Sequence, residues 1–257
     1  MSWGFGQDKL YDKTTSMYSP DGRILQLEYA RKAMSRGLTT IVIVAKDAVI
    51  LGGLVLKSKL LIPAKKIYQV DDHIAVSYTG YTADGQVLVN IIRDIAYENR
   101  VLLGTEIDVQ TLANKLGEYM QQFTQYGGVR PYGVGIVIAG YDINGPGAVF
   151  VDPGGSVFGL KAYCIGKECE KLFDILKDKY REDLSREEAI KLAVELIYNA
   201  MKSEASKGSE EKKRKDIERE ISHERIVLVA IDKEGVHEVP NDEIKKLLEE
   251  FLGGESS

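Results

Sequence analysis

Leu38-Thr39-Thr40-Ile41-Val42-Ile43-Val44-Ala45-Lys46-Asp47-Ala48-Val49-Ile50-Leu51-Gly52-Gly53-Leu54-Val55-Leu56 decides the fold class of this 257-residue chain. Two runs rich in Ile and Val flank a Lys-Asp turn, which predicts buried strands over 38–45 and 48–56 joined as a hairpin. Strands so close in sequence pair antiparallel. Two more short strands follow, over 66–70 and 73–78, with Asp71-Asp72 as the turn.

Ahead of the hairpin the period is helical. Ser19 is placed as N-cap, Pro20 as first helical residue and Asp21 at the positive helix end. Ile24, Leu27, Ala30 and Met34 form the apolar stripe, and Gly37 stands where the helix should stop. After the strands come two long helices. One is capped by Thr82 and runs to 103, with Leu88, Ile91, Ile92, Ile95 and Leu102 on its apolar side. The other is capped by Asp108 and carries Leu112, Leu116, Met120 and Phe123. Strands return over 133–141, 148–151 and 156–162, with Asn144-Gly145-Pro146-Gly147 as a hairpin connection. A second helix pair covers 168–180 and a segment opened by the capping box of Ser185 and Glu188. Strands over 225–231 and 237–239 and a terminal helix capped by Asn241 complete the chain.

The order is strands, two helices, strands, two helices, strands, and not the alternation of a doubly wound fold. It predicts an α+β chain: a four-layer αββα sandwich of two mostly antiparallel sheets flanked by helix pairs, with an extra N-terminal helix. Residues 19–257 read as one domain behind a tail at 1–18. Residues 202–220 are almost all polar, with Glu210-Glu211-Lys212-Lys213-Arg214-Lys215 at their centre, and read as a charged loop or exposed helix.

Composition narrows the function classes. Apolar residues make up 44% and charged residues 28% of the chain, and the net charge of −5 gives no footprint for nucleic acid. No apolar run approaches a bilayer span, and the N-terminus lacks the charged and apolar regions of a signal peptide, so a cytoplasmic address is expected. Three dispersed histidines argue against a histidine-rich metal site, and no cofactor is expected. The only cysteines, Cys164 and Cys169, imply no disulfide framework.

Five segments together carry a family signature. Tyr11-Asp12-Lys13, Tyr18-Ser19-Pro20-Asp21-Gly22-Arg23 and Gln26-Leu27-Glu28-Tyr29-Ala30 form the first. Asp71-Asp72-His73 with Thr79-Gly80-Tyr81-Thr82-Ala83-Asp84 is the second. The longest is Gln122-Phe123-Thr124-Gln125-Tyr126-Gly127-Gly128-Val129-Arg130-Pro131-Tyr132-Gly133-Val134. Asp152-Pro153-Gly154-Gly155 and Ile165-Gly166 follow in order. In this order they resemble the proteasome α-subunit family from Tyr11 to about Ile231.

That resemblance implies the N-terminal nucleophile hydrolase architecture and a place in the outer ring of the 20S particle, seven subunits to a ring. It implies as partners other α-subunits, β-subunits, ATPase or other activator caps, and unfolded polypeptide in transit. Lys66, Gly80 and Tyr81 match the pocket that receives activator tails. A lysine suits a terminal carboxylate, and a glycine lets a tail approach the backbone. Tyr11, Asp12, Lys13, Tyr18, Pro20 and Tyr29 match residues of the gate and its reverse turn, with Lys13 in place of the usual arginine. Tyr81-Thr82, Gly85-Gln86, Cys164 and the charged segment after Met201 depart from the common pattern and mark a divergent member.

The catalytic relatives attack a peptide carbonyl with an N-terminal Thr hydroxyl whose own amine serves as base. Thr39 and Thr40 lie near that position, but a well-capped helix precedes them where a disposable propeptide would be. The acid expected near the end of the second strand falls at Leu54, which holds no charge. Lys66 matches the family lysine but lacks these companions. The expectation is a non-catalytic subunit serving ATP-dependent or ubiquitin-like-dependent degradation. An active Thr hydrolase and an assembly factor derived from the α-type are the alternatives.

Overall fold

The computed structural model describes residues 17–58, 60, 62, 64–206 and 221–254. Among these residues ten strands form two five-stranded sheets. The first has the order β10-β9-β2-β1-β8 and the second β3-β4-β5-β6-β7. The first sheet contains β1 (Thr40–Val44), β2 (Val49–Leu54), β8 (Ala162–Ile165), β9 (Ile226–Asp232) and β10 (Gly235–Glu238). The second contains β3 (Ile67–Asp71), β4 (Ile74–Gly80), β5 (Val134–Asp142), β6 (Gly145–Val151) and β7 (Val157–Leu160). All ladders are antiparallel.

Among the described residues the α-helices are α1 (Leu25–Ser35), α2 (Thr82–Leu103), α3 (Val109–Gln122), α4 (Cys169–Lys179), α5 (Arg186–Ser206) and α6 (Asn241–Gly254). Helices α2 and α3 pack on the second sheet, and α4, α5 and α6 on the first. The hairpin of β1 and β2 explains the layering. Ile41, Ile43 and Ile50 face the helices, while Val42, Val49 and Leu51 meet Ala75, Val137 and Ala139 of the other sheet. Strands buried on both faces need consecutive apolar residues, which is what the quoted stretch supplies.

The chain departs from the sequence expectations in several places. Ser19 does not cap a helix. Its hydroxyl accepts from Arg23 N (3.2 Å) and closes a turn, and α1 starts at Leu25 behind an uncapped Ile24. The single strand expected over 156–162 is two strands: β7 pairs with β6, and after Lys161 the chain crosses to pair β8 with β1 in the other sheet. Apolar alternation carries no mark of a change of sheet. The two cysteines are joined, because the start of α4 folds back over β8 and brings their Cα atoms to 5.5 Å. Gly37 does not end α1 through a left-handed turn; it serves a close backbone contact described below. Residues 202–206 continue α5, and residues 207–220 lie outside those described. The caps of α3 and α5 are as expected: Asp108 accepts from Thr111 N, and Ser185 and Glu188 bond reciprocally. Thr82 and Asn241 are not caps: each is the first residue inside its helix, behind Tyr81, whose side chain makes no capping bond, and behind Pro240, whose carbonyl accepts from Glu243 N and Ile244 N.

Candidate functional site

The C-terminal end of α1 is pressed against the junction of β4 and α2. An added Cβ on Gly37 would lie 2.4 Å from Gly80 N, so only glycine lets these backbones meet. Gly80 has φ +124, and a Cβ there would lie 2.1 Å from Gly133 O. Helix α1 is held in place by Arg31, whose Nη2 lies 2.8 Å from the buried Asp152 carboxylate, and by Met34 packing under Gly135. The result is a groove of about 660 Å³ lined by Tyr29, Lys32, Arg36, Gly37, Gly80 and Tyr81, among others. A recess of about 300 Å³ adjoins it, sharing Tyr29 and Tyr81 and reaching Arg130 and Pro131.

The rim is set by two of the sequence segments meeting. Both Arg130 guanidinium nitrogens bond to Asp84, Nη1 to Oδ2 at 2.6 Å and Nη2 to Oδ1 at 2.7 Å. Asp84 Oδ2 also accepts from Gly133 N (2.8 Å). The Arg130 fork, helped by the Gly133 amide and against the cost of burial, holds the Asp84 carboxyl below its usual range. Arg130 lies 6.0 Å over the Tyr81 ring.

Lys66 lies elsewhere than its surface position in the sequence suggests. Its stem is tucked against Gly53, and Nζ donates to Leu38 O (3.0 Å) and Tyr78 O (2.9 Å). Burial pushes its amine down to about 7. It does not line the groove, yet its two acceptors are one residue from Gly37 and two from Gly80. Thus Gly80, Tyr81 and Tyr29 come together, Lys66 backs them, and Tyr18 and Pro20 sit exposed at the turn before α1. Tyr11, Asp12 and Lys13 lie outside the described residues. Lys32 and Arg36, one helical turn apart, are groove residues that the sequence did not single out, and Gly37 is one it marked only as a helix stop; a basic i,i+4 pair ahead of that glycine was the available sign.

Thr40 opens β1 and Thr39 stands just ahead of it, both buried. Thr39 Oγ1 donates to Lys167 O (2.9 Å), and Thr40 Oγ1 shares a 3.3 Å contact with Ser77 Oγ. Leu54 is buried in the helix-facing core at the end of β2. Among the described residues Lys66 has no carboxylate partner. One mixed ligand set escaped the count of histidines: atoms of Asp232, Glu234 and His237 lie within 4.8 Å of one another at the β9–β10 turn. Arg186 lies 3.4 Å from Asp232 there.

A family model described as "Proteasome subunit" matches residues 34–212, and a second model, the N-terminal signature of A-type proteasome subunits, matches residues 11–33. The chain belongs to the proteasome α-subunit family. It is 35% identical over 248 residues to the proteasome alpha subunit of Methanopyrus kandleri, covering 95% of this chain and 94% of that one. It is 35% identical to that of Methanocaldococcus jannaschii, over 93% of this chain and 87% of the relative. To that of Pyrococcus abyssi it is 35% identical over 94% and 88%. The two antiparallel sheets and their helix layers are the family's sandwich, and among the described residues no helix is long and apolar enough to cross a membrane.

Proposed function

We propose that this chain is a non-catalytic subunit of the 20S core particle. In this reading residues 19–257 act as one domain that forms the outer ring with other α-subunits and supports the β-ring. The tail at 1–18 gates the channel, and the particle works in the cytoplasm on unfolded chains delivered by ATPase or other activator caps. The observation that carries it is the state of the would-be nucleophiles. Thr39 and Thr40 are inside the chain, their hydroxyls are engaged, Leu54 stands where an acid would, and the Lys66 amine is taken up by backbone carbonyls. A Thr hydroxyl without a free α-amine or other base is a poor nucleophile at neutral pH.

Two surfaces support the assembly role. Tyr97, Val101, Leu102 and Leu103 at the end of α2 are all more than half exposed, a cluster of apolar side chains suited to burial against a neighbour in the ring. The groove beside α1 offers Lys32 and Arg36 to a terminal carboxylate, Tyr29 and Tyr81 to the side chains of a tail, and glycine backbone between them. Lys66 stands behind that floor, and in this reading its ammonium gives up its contacts with the Leu38 and Tyr78 carbonyls to reach the ligand. Native mass measurement of the purified protein with and without β-subunits tests the reading. A multi-subunit ring that captures β-subunits is expected; a stable monomer at micromolar concentration that ignores them would count against it.

A further inference from the structure

Cys164 and Cys169 lie behind the groove and take no part in the roles assigned above. Cys164 is in β8 and Cys169 opens α4. The connection they close is tight. Gly166 has φ +103, and Glu168 has φ +64, the one positive φ outside glycine among the described residues. That conformation is unfavourable for a residue with a Cβ.

This connection grips the groove wall. Lys167 N donates to Gly37 O (2.9 Å), and Lys167 O accepts from Thr39 Oγ1 (2.9 Å). A Cβ on Gly166 would lie 2.8 Å from Gly37 O and 2.9 Å from Leu38 O, so the two backbones are in direct contact. At its far end the Glu168 carboxylate accepts from Ser203 of α5 (2.5 Å). The wall residue Gly37 is therefore tied, through four residues, to a covalent bond.

We propose that Cys164 and Cys169 are a redox-switched brace for the groove: oxidised, the pair holds the Gly37–Thr39 wall in register, and reduced by a dithiol it lets the wall loosen. The proposal rests on the groove reading only for its consequence in binding. The exchange is a two-electron reduction. A thiolate of the reductant attacks Cys164 Sγ, the bond to Cys169 breaks, and the electron pair leaves on Cys169 Sγ at the amino end of α4, where a thiolate is favoured. The reductant's second thiol then displaces the Cys164 sulfur and departs as a cyclic disulfide, while each protein sulfur takes up one proton. Both cysteines are buried, so local opening of the connection paces the exchange.

The test uses the full chain under native conditions with dithiothreitol. Thiols are titrated, and hydrogen exchange is followed at the amides of Lys167 and Leu54, which bond to the Gly37 and Thr39 carbonyls. We expect two thiols per chain and about tenfold faster exchange at both amides, with the β4–β5 ladder unchanged and the protection restored on reoxidation. A C164A/C169A variant should match the reduced protein and ignore dithiothreitol; if it does not fold, the reduced and reoxidised protein gives the same comparison. Failure of thiols to appear, or two thiols with unchanged exchange, overturns the proposal. A peptide with a free C-terminal carboxylate should bind the reduced protein at least threefold more weakly. Equal binding of free and amidated peptides to the oxidised protein would instead sink the docking reading, and the exchange result would still decide the brace.

Discussion

Arg130 grips both carboxylate oxygens of Asp84 across 46 positions of sequence, fixing the loop before β5 to the first turn of α2. Asp84 is almost fully buried and Arg130 is largely exposed, so the pair sits at the edge of the interior. Its bidentate geometry is one that lysine cannot reproduce. Arg130→Lys should therefore destabilise the fold by about 1 kcal/mol, and Asp84→Asn by about 1.5–3 kcal/mol. The urea midpoints of the two variants check this.

The same pair has a defined response to acid. The folded state holds Asp84 below its unfolded value, so its contribution is complete above the unfolded range and is lost as pH falls through the depressed folded value. The stability difference between the wild type and Asp84→Asn should shrink as pH drops from about 6 to about 3. A difference that stays constant over that interval would show that the carboxylate is not the source.

Lys66 predicts the opposite limb. Burial lowers its amine from 10.5 to about 7, so between those values the unfolded chain binds more protons than the folded one, and stability rises with pH. Lys66→Met removes this dependence. Its stability relative to the wild type should be greatest near pH 6.5 and decline toward pH 10, as read by denaturant midpoints at both ends.

The docking proposal gives Lys66 a second use. Lys66→Ala should weaken binding of a carboxylate-ended peptide by tenfold or more, since several tails lose a charge-assisted bond together in the full ring. Lys65→Ala is expected to be near neutral. Because the Lys66 ammonium is buried on two carbonyls, ring assembly of the variant is measured alongside, and Lys66→Met serves as a variant that keeps the stem. Equal loss in the Lys65 and Lys66 variants would remove Lys66 from the docking role.

Gly37→Ala and Gly80→Ala should each cost about 2 kcal/mol or more, because a Cβ collides with backbone at both positions and Gly80 also has φ +124. Gly147→Ala, where a Cβ meets nothing within 4 Å, should change the thermal midpoint by little. This contrast separates glycine needed for close approach from glycine that merely occupies a strand.

Much of this is readable in the sequence. The hairpin of β1 and β2, the helix from Thr82 to Leu103 and the caps at Asp108 and Ser185 follow from local chemistry, so they are legible. The change of sheet at Lys161 is not, because β7 and β8 each satisfy the same short-range pattern and only tertiary pairing divides them. The groove is half legible. Gly80 and Tyr81 stand in a recognisable segment, whereas Gly37 reads as a helix stop and only its contact with Gly80 reveals its use. Lys66 beside Lys65 reads as a surface charge, since the fold that buries its ammonium is built from residues 12 and 28 positions away.

The proposed gate leads to a kinetic expectation. Deleting residues 1–12 should speed degradation of a long disordered substrate by the assembled particle while leaving the hydrolysis rate at the β sites unchanged, because access and chemistry are separate steps. No acceleration in particles shown to be intact would mean that the tail does not obstruct the pore.

Everything proposed for this chain depends on its not cutting peptide bonds itself. Intact-mass analysis of the chain recovered from assembled particles decides that. Residues ahead of Thr39 should be retained, and an N-terminal threonine-directed inhibitor should leave this subunit unlabelled. A chain that begins at Thr39 or Thr40 and carries the inhibitor would contradict the non-catalytic reading.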